Sequence, residues 1–115
     1  EIPYRVLEMC GVDLGGRRII KKKIEAWMPG KGENGEWGEI TSTSNTTDFQ
    51  ARRLNIKYQD IQGKNQFAHT LNGTAIAVSR AIVAIIENFQ TANKEVAIPK
   101  VLQPYMGGRT LINQK

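Results

Sequence analysis

The chain has 115 residues, 40% of them hydrophobic and 23% charged, a globular balance that excludes a disordered segment and leaves too little chain for two domains with separate cores. Its charge of +5, from 16 Lys and Arg against 11 Asp and Glu, permits a polyanionic partner such as RNA, DNA or nucleotide phosphates without naming one. The single cysteine, Cys10, excludes an internal disulfide framework and a Cys-rich zinc site and suits a reducing compartment, and no apolar run approaches the roughly 18 residues of a membrane-spanning helix.

The chain begins at Glu1, and its first residues already read as the interior of a fold. A start removed by processing or truncation is expected, so the lack of a leader says nothing about location. Residues 3–10 alternate as a strand, with Tyr4, Val6 and Glu8 on one side and Arg5, Leu7 and Met9 on the other. A glycine-rich loop, Gly11 to Gly16, follows. Residues 19–28 form a second strand, with Ile20, Lys22, Ile24, Ala26 and Met28 on one face and Lys21, Lys23, Glu25 and Trp27 on the other. The segment 30–38 is a turn or hairpin tip, and residues 37–43 form a short third strand around Glu39-Ile40-Thr41. The Ser/Thr/Asn cluster from Ser42 to Thr47 supplies N-cap candidates for a short helix through Arg53. Leu54, Ile56 and Tyr58 alternate as a strand, Gly63-Lys64-Asn65 turns the chain, and Phe67 to Leu71 returns as the hairpin partner. Residues 74–91 read as a long, well-buried helix, and Pro99 and Pro104 punctuate a short helical tail ending near Gly107. The sum is an α+β fold, an antiparallel sheet flanked by helices.

Several side chains in this order carry chemistry. Arg17, Arg18, Lys21, Lys22 and Lys23 could meet phosphates or form a solvated strand edge, but alternation keeps them from all pointing one way. Gly11 to Gly16 lacks the GxxxxGK[ST] order of a phosphate loop and reads as a tight turn. Glu25 lies between apolar neighbours, where a carboxylate is costly unless paired or facing a polar pocket. Glu39, Ser42 and Ser44 offer hard oxygens suited to Mg²⁺ carrying phosphate, or else turn and capping chemistry. His69 has no second His or Cys for a metal site and reads as a structural residue within a strand, and Cys10 reads as structural too. Asn72-Gly73-Thr74 is either a helix cap or the polar lining of a pocket at a strand-to-helix junction. Arg80, in the middle of an apolar helix, reaches for an anion, and a triphosphate would serve.

Asp48-Phe49-Gln50-Ala51-Arg52-Arg53, His69-Thr70-Leu71-Asn72-Gly73-Thr74 with Arg80, and Glu87-Asn88-Phe89-Gln90 together resemble the C-terminal half of a seryl-tRNA synthetase catalytic domain. So do Ile98-Pro99, Pro104 to Gly107, and upstream Pro3-Tyr4-Arg5, Asp13-Leu14-Gly15 and Ile24 to Trp27. The resemblance covers nearly the whole chain, and the phrases EAWMPG and SNTTDFQ resemble the mitochondrial branch. It implies a class II antiparallel fold, with residues 1–115 as the C-terminal portion of the catalytic domain and motif 3 at about 70–90. It also implies serine, ATP and tRNA(Ser) as substrates, Mg²⁺, a homodimer, no membrane, and the mitochondrial matrix as compartment with the cytoplasm as alternative. Carried over by motif, Arg80 contacts ATP, and Glu39 with Ser42 holds the Mg²⁺ that bridges the phosphates. Arg80 and Glu39 are thus the expected catalytic residues. Glu25 and Thr74 take the serine hydroxyl, with Asn72 beside them. Two departures stand out. Gly11-Val12-Asp13 replaces the usual Thr-Gly-Asp, and Lys22-Lys23 replaces an acidic neighbour of the Ile-Glu pair; this second change opens the alternative of a non-catalytic paralogue that binds or supports a partner. Motifs 1 and 2 and the tRNA-binding arm lie outside these residues, so this stretch alone is expected to be inactive, with an incomplete core.

Overall fold

A computed structural model describes residues 1–9 and 20–113; the expectations for Cys10, the Gly11–Gly16 loop, Arg17 and Arg18 fall outside the described residues. Strands β1 (Tyr4–Glu8), β2 (Ile20–Met28) and β3 (Glu36–Asn45) pair antiparallel. The fourth strand of the sheet, β6 (Leu71–Thr74), pairs with β3, giving the order β1-β2-β3-β6. The β2–β3 turn depends on glycine at one point. Gly35 has φ +85°, and a Cβ there would stand 2.4 Å from Trp27 Cζ2, so a side chain would collide with the indole that lies against the turn.

Helix α2 (Val78–Asn88) lies against β2 and β3. Ala26, Met28 and Ala84 form the buried cluster, with Ile2 and Ile40 packed against it. Both helix ends are tied to the sheet. At the start, Ala77 N–H donates to the Ile40 carbonyl at 2.7 Å. At the end, Asn88 Nδ2 donates to the Trp27 carbonyl at 2.7 Å, and Gly30 N–H donates to Glu87 Oε2 at 2.8 Å. These polar ties fix the helix where its apolar contact is narrow.

The α+β expectation holds, and several local ones are corrected. Helix α2 begins at Val78 rather than 74, because 71–74 is drawn into the sheet by β3. It is not well buried: Ala84 is its buried residue, while Ile82 and Val83 stay 50% and 42% exposed, since among the described residues the sheet covers only one stripe of the helix. Leu54 ends a helix, α1 (Phe49–Leu54), that Asn55 closes in the left-handed region. The hairpin therefore starts later, as β4 (Lys57–Gln59) with β5 (Asn65–Phe67). The Ser42–Thr47 cluster does not cap α1 by side chain; Asp48 is the N-cap. Instead Asn45 Oδ1 accepts from Thr47 N–H at 2.9 Å, and Thr46 Oγ1 meets Thr70 Oγ1 at 2.7 Å, so the cluster builds the turn itself. The tail is a 3₁₀ helix, Lys100–Met106, closed by Gly107 at φ +64°. The short pair β7 (Val96–Ala97) and β8 (Leu111–Ile112) was not anticipated.

Candidate functional site

In a regular strand, residues three apart point to opposite faces, which would separate Glu39 from Ser42. The β2–β3 register prevents this. Ile24 pairs with Thr41 and Glu25 pairs with Glu39, so Ile40 is an extra residue, a bulge. Beyond it the alternation resets, and Glu39 and Ser42 share a face. The register carries the rest onto the same face. Glu25 is opposite Glu39, Lys23 opposite Ser42, Thr74 opposite Ser42 from the other side, and Asn72 opposite Ser44. Arg5, opposite Glu25 on β1, completes a polar face, while α2 covers the other side. The sheet thus brings Glu25, Glu39, Ser42, Asn72 and Thr74 together on one surface.

Glu25 is buried, with its side chain 7% exposed, and two cations surround it. Arg5 donates from Nε to Oε2 at 2.7 Å, and its Nη2 stands 2.6 Å from the same oxygen. Lys23 Nζ lies 2.7 Å from Oε1. Burial pushes the carboxyl up, but the hydrogen bonds and charges of Lys23 and Arg5 outweigh it and hold Glu25 below the usual carboxylate range. Arg5 is itself placed by Trp37, whose ring centroid lies 4.8 Å from its guanidinium carbon. Lys22 points to the other face, 3.6 Å from Glu8, so the two adjacent lysines do different things.

Arg80 stands in the first turn of α2, not mid-helix, and its Nη1 donates to the Glu39 carbonyl at 2.9 Å. Glu39, Ser42, Thr74 and Arg80 line one cavity of about 190 Å³, and Glu39 and Arg80 also border a neighbouring one of about 530 Å³. Thr41 Oγ1 donates to the Thr74 carbonyl, holding β6 against the bulge. The start of α2 has no side-chain cap and no acidic residue in its first turn. Its N–H groups and Arg80 therefore present positive potential to this cavity. Lys21 Nζ is 4.0 Å from Glu39 Oε2, too loose to occupy the carboxylate. Among the described residues there is no cluster of three His, Cys, Asp or Glu that could hold a metal. One carboxylate and one hydroxyl in a shared cavity nevertheless fit Mg²⁺ of the kind that takes its remaining oxygens from phosphate and water.

His69 lies outside the strands and is exposed, correcting its reading as a strand residue. It lines a separate cavity of about 450 Å³ with Asp48, Arg52, Tyr58, Gln66 and Phe67. The roles of Arg5 and Lys23 at Glu25 were missed. Parity already placed Lys23 beside Glu25, but Arg5 could be found only from strand register.

Residues 2–89 match the family described as tRNA synthetase class II core domain (G, H, P, S and T). The chain is 58% identical over 106 residues to a serine–tRNA ligase of Treponema denticola, covering 92% of this chain and 25% of that protein. Among solved structures, it superimposes on a seryl-tRNA synthetase from Pyrococcus horikoshii complexed with ATP, with TM-score 0.88 and 52% identity, covering 99% of this chain and 25% of that one. A cytoplasmic serine–tRNA ligase from Naegleria fowleri in complex with AMP gives TM-score 0.88 and 45% identity, over 99% and 27% of the two chains. The chain therefore spans about a quarter of the length of the relatives it matches. None of these three names is mitochondrial, and the likeness of EAWMPG and SNTTDFQ to that branch gains no support from them.

Proposed function

The chain belongs to the tRNA synthetase class II core domain family, and we propose that it supplies part of the active site of a serine–tRNA ligase, which joins serine to ATP as seryl-adenylate and then transfers the seryl group to tRNA(Ser). The observation that carries this reading is the bulge at Ile40, which places Glu39 and Ser42 on one face and in one cavity with Thr74 and Arg80. The serine carboxylate oxygen attacks the α-phosphorus, the P–O bond to the leaving group breaks, and pyrophosphate departs. Such an in-line displacement needs positioning and charge neutralisation more than a general base. Arg80 and the uncapped start of α2 balance phosphate charge. Glu39 and Ser42 would hold Mg²⁺, which when bound neutralises phosphate charge. Glu25 and Thr74 take the serine hydroxyl, with Asn72 on the same face. A site built to hydrogen-bond a hydroxyl rejects alanine because its own polar groups are then left unpaired.

The non-catalytic alternative loses its motive. Lys22 faces away, and Lys23 pairs with Glu25 instead of dismantling the pocket. The relatives at this level of identity also carry the ligase name. A homodimer as the assembly of the whole protein belongs to the same proposal. So does the mitochondrial matrix as compartment, with the cytoplasm as alternative; this rests on EAWMPG and SNTTDFQ alone, and cell fractionation decides it. The activity is tested by serine-dependent ATP–pyrophosphate exchange with the full-length protein. The expected result is exchange in the wild type and a loss of at least about a hundredfold in Arg80→Ala and in Glu39→Ala. Exchange retained in both variants overturns the site assignment.

A further inference from the structure

We propose that the excursion between β3 and β6, residues 46–70, is a surface for single-stranded RNA that receives the unpaired 3′ end of the tRNA. The proposal rests on the serine–tRNA ligase reading above. Helix α1 and the β4–β5 hairpin make up the excursion. It carries four Lys and Arg against two acids, Asp48 and Asp60, and both acids are engaged within it. Asp48 Oδ2 accepts from Arg52 Nε at 2.7 Å. Asp60 accepts from the N–H groups of Gln62 and Lys64 at 2.9 Å each and from Gln66 Nε2 at 3.2 Å, which closes the hairpin turn on itself. Arg53, Lys57 and Lys64 are exposed, and none of them forms an ion pair among the described residues. The excursion thus offers positive charge that the chain does not answer, and a polyanion does.

Aromatic rings lie among these cations, the combination by which single strands are held: phosphates on Lys and Arg, bases on ring faces. Lys57 Nζ stands 5.0 Å from the Phe67 ring centroid, and the Arg52 guanidinium carbon stands 6.0 Å from it. Phe67, Tyr58 and His69 line the cavity of about 450 Å³, and Tyr58 is half exposed. An unpaired base finds rings to stack on there, with Gln66 and Asp48 in the same wall to hydrogen-bond its edge. The surface is also held in place. Thr46 N–H donates to the Thr70 carbonyl at 3.0 Å, and Thr70 N–H donates to the Thr47 carbonyl at 2.8 Å, which closes the base of the excursion. That base adjoins Asn45 and Leu71, three residues along the β3–β6 pair from Ser42 and Thr74, or about 10 Å at the rise of a strand. Ser42 and Thr74 line the cavity assigned to the reaction, so an RNA terminus reaching it has this surface beside its path.

The test uses the full-length protein with intact tRNA(Ser) and with the same tRNA shortened by its unpaired 3′ nucleotides. The charge variant is Lys57→Gln combined with Lys64→Gln, and the stacking variant is Tyr58→Leu. In each, kcat/KM for tRNA(Ser) in aminoacylation is expected to fall about tenfold, with the serine and ATP KM values of ATP–pyrophosphate exchange unchanged. In the charge variant the logarithmic salt dependence of intact-tRNA binding becomes shallower by about 1.4, two phosphate contacts at about 0.7 each. The shortened tRNA binds the wild type and both variants alike. Unchanged tRNA kinetics and binding in both variants overturn the proposal and leave the basic face to an acidic protein partner. An equal loss of binding for the shortened tRNA also overturns it, by moving the contact away from the 3′ end. Serine, ATP and tRNA KM values rising together, with a lowered thermal unfolding midpoint, overturn it too, because they assign these residues to stability. A wild-type protein with no serine-dependent exchange, in an assay that contains no tRNA, overturns the ligase reading itself and this proposal with it.

Discussion

A carboxylate taken out of water between Ala26 and Ile24 is unfavourable unless its charge is answered, and at Glu25 it is answered twice. Burial pushes its pKa up, while the Lys23 and Arg5 hydrogen bonds and charges pull it below its ordinary value of 4.5. A depressed folded-state value means that the unfolded chain binds the proton more readily. The stabilising contribution is therefore present above about pH 4.5 and is lost as pH falls through the depressed folded value. Denaturant titrations at pH 7 and pH 3 should show the unfolding midpoint falling toward acid, and falling less in Glu25→Gln, where the titrating group is gone. An equal fall in both proteins would move the acid sensitivity elsewhere. At this scale the sequence was half legible. The isolation of Glu25 among apolar neighbours marked it as a residue needing a partner. Its partners were harder to see, because Lys23 read together with Lys22 as a reversal of charge near the pocket. Parity separates them: 23 and 25 share a face, and 22 does not. Arg5 becomes visible only when the β1–β2 register is known.

Elements place what residues supply. The spacing of Glu39 and Ser42 argues against a shared face in any regular strand, and nothing in Gly38-Glu39-Ile40-Thr41 announces a bulge. Their partnership came from resemblance to a family, and its physical cause, the extra residue at Ile40, appears only in the strand pairing. The same bulge offers the Ile40 carbonyl to Ala77 N–H, which sets the start of α2 and with it Arg80. Helix and site are therefore coupled through the contact of α2 with the sheet. Ala84, 1% exposed and packed with Ala26 and Met28, is the closest-fitting point of that contact. Ala84→Leu should overpack it, lowering stability by about 1–3 kcal/mol and raising the ATP KM as Arg80 is displaced. Thermal unfolding and exchange kinetics on the full-length protein measure the two effects. A stable Ala84→Leu variant with an unchanged ATP KM would show that the helix does not set the arginine.

The whole molecule is extended, with a radius of gyration of 20.1 Å against about 13 Å for a compact chain of this length. Among the described residues no large side chain is fully buried. The exposed apolar groups follow from where α2 lies. It covers β2 and β3 but not β1, so Tyr4 and Val6, on the helix side of the sheet, remain 67% and 59% exposed. Its own outward face leaves Val78, Ile82 and Ile86 uncovered as well. Apolar periodicity had predicted burial for this helix. The pattern correctly marked a surface that wants cover, but periodicity says nothing about whether the cover lies in the same stretch of chain. Exposed apolar groups in this number suit an interaction face or make an aggregation liability, and the chain spans only about a quarter of the length of its relatives. Produced alone, the 115 residues should therefore bind a hydrophobic dye such as ANS strongly and unfold over a broad transition, as expected where hydrophobic surface is exposed and packing is incomplete. The full-length protein should bind little dye and unfold sharply. A sharp transition without dye binding in the 115-residue chain would mean that the sheet and one helix stripe suffice as a core, and that the exposed face serves a partner instead of the rest of the protein.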